Sequence, residues 1–205
     1  AEVKPGNHWN HPHEAAVRAI VEGLVEHGLL KGDIDTLIEE MMNNDMQILK
    51  KNLIKKLKKK ILIAGQDGMV GRSIYKAIKK KNLFKIVECS RKDLDFTNQK
   101  AVDRWFKKNK PEIVINAAGR VGGILDNSTY QSDYLYINTM IGLNLINSSL
   151  KYNVKKLINL GSACIYPKNV KQPIKENALL SSQLEKSNEG YAIAKIVCLK
   201  YCQYL

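Results

Sequence analysis

The strongest constraint on the fold is a short apolar run that ends in spaced glycines. Ile61-Leu62-Ile63-Ala64 leads straight into Gly65-Gln66-Asp67-Gly68-Met69-Val70-Gly71, and a helical pattern follows from Val70 to Lys80. A strand, a Gly-x-x-Gly-x-x-Gly turn and a helix, in that order, build a phosphate site. The first glycine permits a tight turn, the second lets the backbone approach a pyrophosphate, and the third lets helix and strand pack closely. Backbone N–H groups and the helix dipole then face the negative phosphates.

The remainder of the chain continues the alternation. Strands are expected at 60–64, 85–89, 111–117 and 156–161, and helices at 70–80, 99–109, 132–152 and 190–204. Strands alternating with helices specify an α/β fold, a doubly wound parallel sheet of the Rossmann type. Ligands of such sheets bind beyond the carboxyl ends of the strands. Twenty residues after Gly71, just past the second strand, stand Arg91 and Lys92. An acidic residue there would accept the ribose 2′-OH of NAD, whereas a guanidinium fits the 2′-phosphate of NADP, so Arg91 favours NADP. Glu88 is an acidic competitor, but it precedes the strand end. The third strand ends in Asn116-Ala117-Ala118-Gly119, small residues that let a cofactor pass close to the backbone. Asn138 faces the same region or serves as a structural hydrogen bonder.

The last expected helix carries Tyr191-Ala192-Ile193-Ala194-Lys195. Residues four apart share a helix face, so phenol and ammonium point at one spot. A tyrosine titrates near ~10, and a neighbouring cation favours the phenolate and lowers that value. The pair is suited to give or take a proton at a carbonyl or alcohol. Ser162 closes the fourth strand in Gly161-Ser162-Ala163-Cys164-Ile165-Tyr166-Pro167, where its hydroxyl can hold a substrate oxygen.

Charge divides the chain. Residues 1–45 hold 3 Lys and Arg against 9 Asp and Glu, and all four His, whereas the whole chain carries +13. Helical patterns run from His13 to a stop at Gly28 and from Asp33 to Met42. Residues 1–45 are read as a small helical appendage, 46–60 as a basic linker helix, and 61–205 as the dinucleotide-binding domain. The lysine run from Lys50 to Lys60 has no aromatics for base stacking, and lysine dominates elsewhere too, so a solvated helix is expected rather than a nucleic-acid or membrane site. His8, His11 and His13 lie in an irregular segment without a nearby Cys, and no metal is expected there. Cys89, Cys164, Cys198 and Cys202 are scattered, which suggests reduced thiols and a cytoplasmic setting; Cys198 and Cys202 read as helical core thiols. No run of about 18 apolar residues indicates a membrane span.

Ser162, Tyr191 and Lys195 downstream of a glycine turn form the constellation of short-chain dehydrogenase/reductases. Gly68-Met69-Val70-Gly71, Val121-Gly122-Gly123-Ile124, Gly161 to Lys168 and Asn188-Glu189-Gly190-Tyr191-Ala192-Ile193-Ala194-Lys195 resemble the GDP-L-fucose synthase family, from about Ile61 to Leu205. The resemblance implies NADPH-dependent 3,5-epimerisation and 4-reduction of GDP-4-keto-6-deoxy-D-mannose to GDP-L-fucose, by a cytoplasmic homodimer with a GDP-sugar as substrate. It implies that Tyr191 protonates the C4 oxygen, that Lys195 binds the nicotinamide ribose and lowers the tyrosine pKa, and that Ser162 polarises the ketone. Cys164 matches the cysteine implicated in proton transfer during epimerisation. Gly65, Gly68, Met69, Val70, Gly71, Arg91, Asn116, Ala117 and Ala118, with Tyr191 and Lys195, would hold the cofactor. Val121, Gly122, Gly123 and Ile124 would shape the sugar pocket.

The chain departs from the family pattern at Gly190, where proline usually precedes the tyrosine, and at Ala163, where serine is frequent. The family's partner acid/base, a histidine, lies further downstream, and no His follows His27. The expectation is therefore a C-terminally truncated enzyme that does not complete turnover unaided. Another nucleotide-sugar epimerase or dehydratase, and a non-catalytic NADP-binding module, are the alternatives. The region around Trp9 is faintly similar to the leader of nitrile hydratase alpha subunits; the Cys-rich metal loop of that family is absent, so none of its activity is implied.

Overall fold

The computed structural model describes residues 59–205 apart from Leu83, together with 31–43 and, before them, Arg18, 21–26 and Gly28. The histidine-bearing leader at 8–13 and the lysine run at 50–58 lie outside the described residues.

Strand β1 (Lys60–Ala64) is buried along Ile61 to Ala64, the mark of a central strand covered on both faces. It pairs in parallel with β2 (Lys85–Ile86) on one side and with β3 (Ile113–Asn116) on the other, and β3 pairs in parallel with β4 (Lys156–Asn159). The four-stranded sheet has the order β2-β1-β3-β4. Because side chains alternate along a strand, each strand feeds two cores. Ile61 and Ile63 join Ile113 and Ile115 in one apolar cluster, which Ile74 and Ile78 of α2 (Met69–Lys81) complete. Leu62 and Val114 face the other way, into Val102 and Phe106 of α3 (Gln99–Asn109) and into Leu145 of the long helix α5 (Gln131–Lys151). Helices on both faces make the sheet doubly wound, as the alternation of the sequence requires.

The first cluster also takes in Val21, Leu24, Leu37 and Ile38. Residues 21–26 are helical, and Gly28 ends that segment at φ +63° with its N–H on the Val25 carbonyl. Helix α1 (Ile34–Asn43) starts at Asp33, whose carboxylate accepts hydrogen bonds from the Thr36 N–H at 3.0 Å and hydroxyl at 2.9 Å, an N-terminal cap. The N-terminal helical segments thus bury their apolar faces with one side of the sheet.

Local signals account for the helix ends. Asn98 caps α3 by accepting the Ala101 N–H at 3.0 Å, and α2 stops where Asn82 turns left-handed at φ 51°, after three lysines that suit the negative end of its dipole. Two expectations need correction, and one element has no counterpart among them. The second strand pairs only at Lys85 and Ile86: after one more bond, from the Val87 N–H to the Ile61 carbonyl, the chain leaves the edge for a turn tied by Asp93 to Ser90. A short helix α4 (Ile124–Thr129) follows the Gly122-Gly123 pair, held by the Asn127 amide on both glycine carbonyls. Cys198 is buried, but Cys202, one turn further along α6 (Glu189–Tyr204) and near its end, is exposed.

Helices α5 and α6 lie side by side on the sheet. They approach so closely at Gly142 that a Cβ there would overlap the Cys198 sulfur. This contact fixes α6, and with it Tyr191 and Lys195, at the carboxyl edge of the sheet.

Candidate active site

Two cavities open at that edge. The larger, about 650 Å3, is lined by Gly65, Gly68, Met69, Val70, Arg91, Ala117 and Ala118, all expected from the sequence, and also by Cys89, Phe96, Thr97, Ile137 and Ile141, which were not. Gly65 has φ +81°, and a Cβ there would lie 2.7 Å from the Ala117 carbonyl oxygen, so the turn and the end of β3 are in direct contact. A Cβ at Gly71 would overlap the Gly65 carbonyl oxygen. Gly71 therefore acts by packing and does not line the cleft, the task its place in the motif assigns. The exposed guanidinium of Arg91 borders the cleft, whereas Glu88 is engaged by the Tyr75 hydroxyl at 2.6 Å. A dinucleotide fits this donor set: glycine backbone for phosphates, small residues at the strand end, a guanidinium at the rim.

Asn116 departs from its expected role. It is buried, donates to Asn159 Oδ1 at 2.8 Å and accepts the Ala118 N–H at 3.2 Å, tying β3 to β4 beneath the cleft. Asn138 is structural as well. Its Oδ1 accepts the Arg120 N–H at 2.9 Å and its amide donates to the Arg120 and Tyr134 carbonyls.

The smaller cavity, about 250 Å3, is lined by Val121, Gly122, Ile124, Asn127, Cys164, Asn188 and Tyr191. Val121 borders both cavities, so they adjoin. Gly123 does not line it; it starts α4, and its carbonyl accepts from Asn127. The Val121-Gly122 segment is pinned from behind by residues that no sequence motif marks. The Arg120 guanidinium pairs with Asp133 at 2.8 Å and lies 4.9 Å from the Tyr134 ring centre. The Tyr134 hydroxyl donates to Asp126, and its ring meets that of Tyr191 edge-on at 6.4 Å. A Cβ at Gly122 would overlap the Tyr134 hydroxyl. No spacing rule reveals this group, because its members meet only when α4 folds back on α5.

Ser162 precedes a single 3-10 turn (Ala163–Ile165), and its Oγ accepts the Cys164 N–H at 3.3 Å. That bond orients the turn and leaves the hydroxyl hydrogen available to an oxygen. The Lys195 ammonium is buried, donates to the Leu160 carbonyl at 3.2 Å and lies 5.7 Å from the centre of the Tyr191 ring. Burial drives both groups toward their neutral forms. The Tyr191 phenol is pushed up by burial and then by Cys164, with a hydrogen bond from Ser162 opposing, and burial lowers Lys195. The expected lowering of the tyrosine pKa by the lysine is thus not found; the ammonium donates to the Leu160 carbonyl instead.

Gly190, the departure before Tyr191, has a local cause. A Cβ there would overlap the Gln131 carbonyl oxygen, so α6 enters against the start of α5. The Gln131 side chain secures this junction by accepting the Gly190 N–H at 3.0 Å and donating to the Lys186 carbonyl at 2.8 Å.

A family model described as the NAD dependent epimerase/dehydratase family matches residues 61–205. GDP-L-fucose synthase 1 of Arabidopsis thaliana is 46% identical over 144 residues, covering 70% of this chain and 45% of the relative. GDP-L-colitose synthase of Yersinia pseudotuberculosis is 40% identical over 71% of this chain and 47% of its own length. Among solved structures, a GDP-mannoheptose C4 reductase from Campylobacter jejuni with NADP bound superposes with a TM-score of 0.69 at 37% identity, over 72% of this chain and 46% of the other. The chain spans about half the length of the curated relatives it matches.

Proposed function

Because the chain belongs to the NAD dependent epimerase/dehydratase family, we propose that it forms the NADPH-binding, reducing part of a GDP-sugar epimerase/reductase. The reaction we assign is 3,5-epimerisation and 4-reduction of GDP-4-keto-6-deoxy-D-mannose to GDP-L-fucose. The observation that carries this reading is the 250 Å3 cavity in which Cys164 and Tyr191 share a wall, adjoining the glycine-turn cleft through Val121.

NADPH, when bound, supplies the hydride. The turn at Gly65 to Gly68 receives the pyrophosphate on backbone N–H groups, and Arg91 takes the 2′-phosphate. Ser162 holds the C4 oxygen of the sugar with its hydroxyl hydrogen. Tyr191 gives its proton to the same oxygen; burial keeps the phenol protonated in the resting site, the state a proton donor needs. Lys195 compensates the phenolate that remains. Cys164 takes a proton from the sugar carbons beside the ketone during epimerisation, a task suited to a thiolate; the proton delivered to the opposite face comes from a second acid/base group, the role the family resemblance gives to a histidine further downstream. We further propose that the chain acts in the cytoplasm as a homodimer through α5 and α6; among the described residues no helix is long and apolar enough to cross a membrane. We also propose that residues 1–45 form an appendage joined by 46–60 to the 61–205 domain.

The similarity to a GDP-L-colitose synthase keeps a second GDP-sugar product in view. Fluorescence titration should show NADPH binding by the chain; a folded sample that binds none would sink the reading. Tyr191→Phe, in a full-length enzyme carrying this sequence, should lower reduction by about 10²–10⁴-fold and weaken NADPH far less than that. Retained turnover would remove Tyr191 from its role. Product analysis for GDP-L-fucose against GDP-L-colitose decides between the two sugars.

A further inference from the structure

Asn188 occupies the N-cap position of α6 but makes no capping hydrogen bond with its side chain. Asparagine is among the preferred residues at this position because its side-chain oxygen ordinarily accepts a first-turn N–H. Here Gln131 takes that role from another helix, accepting the Gly190 N–H at 3.0 Å. The freed Asn188 amide turns instead to Cys164 and donates to its sulfur at 3.2 Å. Its Oδ1 is left buried with no partner. A side chain that forgoes a cap and leaves its own oxygen unpaired is held in place for the contact it does make. Both residues line the cavity that also holds Tyr191.

We propose that Asn188 is a positioning residue for Cys164: its N–H stabilises the thiolate and holds the sulfur toward the sugar cavity. The inference deepens the function proposed above and rests on its reading of Cys164 as the proton carrier. A hydrogen bond to the charged form favours that form. Donation by Asn188 therefore supports the negative sulfur that accepts a proton from carbon. The opposite amide orientation would place Oδ1 against the sulfur and favour the neutral thiol, so the sign of the effect separates the two.

The test is iodoacetamide alkylation of the chain at pH 7 without cofactor or sugar, followed at each cysteine by peptide mass. Cys202, exposed on α6, is the internal reference. Asn188→Ala should slow alkylation of Cys164 by about five- to tenfold, the size expected of one hydrogen bond to a charged sulfur. Asn188→Asp, which cannot donate and adds a negative charge, should slow it further. The ultraviolet absorbance of the thiolate should fall in step. Gln131→Ala, which loosens the start of α6 without touching the sulfur, should change the rate less than about twofold. Faster alkylation in Asn188→Ala, or an equal loss in Gln131→Ala, would overturn the proposal. NADPH plays no part in the measurement, so failure here and failure of the cofactor reading are read separately.

Discussion

The two cavities at the carboxyl edge of the sheet are built from different materials. The 650 Å3 cleft takes its critical surface from backbone: the Gly65 turn, the Ala117-Ala118 strand end and the packing of Gly71 beneath them. The 250 Å3 cavity is walled largely by side chains from α4, the 163–165 turn and the start of α6. A phosphate is recognised by N–H groups that nearly every residue possesses, so the sequence need only clear side chains from their path. The proton transfers we propose at a sugar ketone would require particular groups, Ser162, Cys164 and Tyr191, delivered from separate segments. The first kind of site tolerates almost no added atom; the second tolerates changes of shape but not of chemistry.

The largest effect that would break this contrast is expected at Gly71. An alanine Cβ would overlap the Gly65 carbonyl oxygen, which cannot move without opening the turn. Gly71→Ala should cost about 2–3 kcal/mol in chemical unfolding and abolish NADPH binding by fluorescence. At Gly123, beside the smaller cavity, an added Cβ would meet nothing within 4 Å, so Gly123→Ala should stay within about 1 kcal/mol of the parent. Comparable losses at both positions would erase the distinction. Arg91 is the side chain to which we assign the cleft's choice of cofactor. Arg91→Ala should weaken NADPH by about tenfold or more while NADH affinity is unchanged, as for loss of a charge-assisted bond to phosphate. Equal weakening of both cofactors would assign Arg91 to the shape of the cleft instead.

The same contrast governs what is legible in the sequence. Gly65 to Gly71 is contiguous, and its spacing states its purpose; strand β1 and helix α3 fall where their apolar periodicity puts them. Arg91 can be found because its distance from the turn is set by one helix and one strand. Asn116 is assigned to the cofactor by its place at a strand end, yet its partner is Asn159 on the neighbouring strand, a pairing that only sheet register creates. Arg120, Asp126, Tyr134 and Gln131 are invisible for the same reason. They meet across α4, α5 and α6, and no local period records that meeting. Gly190 has the look of a weakened motif in the sequence, whereas in the fold the Gln131 carbonyl fills the space a Cβ would need.

Lys195 offers the smallest change in stability and the sharpest division between chemistry and packing. It is buried, and burial lowers its pKa below the ordinary lysine value of ~10.4. A group whose folded pKa is depressed binds its proton less tightly in the native state. Its contribution to stability is therefore whole above the unfolded value and is lost as the pH falls through the folded one. The deficit then persists to neutral pH. Lys195→Met keeps most of the side-chain volume and removes the charge. The variant should unfold at higher denaturant than the parent at pH 7, with the gap narrowing as the pH rises toward ~10.4, while reduction is lost. A variant less stable than the parent at pH 7 would mean that the bond to the Leu160 carbonyl outweighs desolvation. Lys195 would then belong with the packing residues of the larger cleft rather than with the reacting groups of the smaller one.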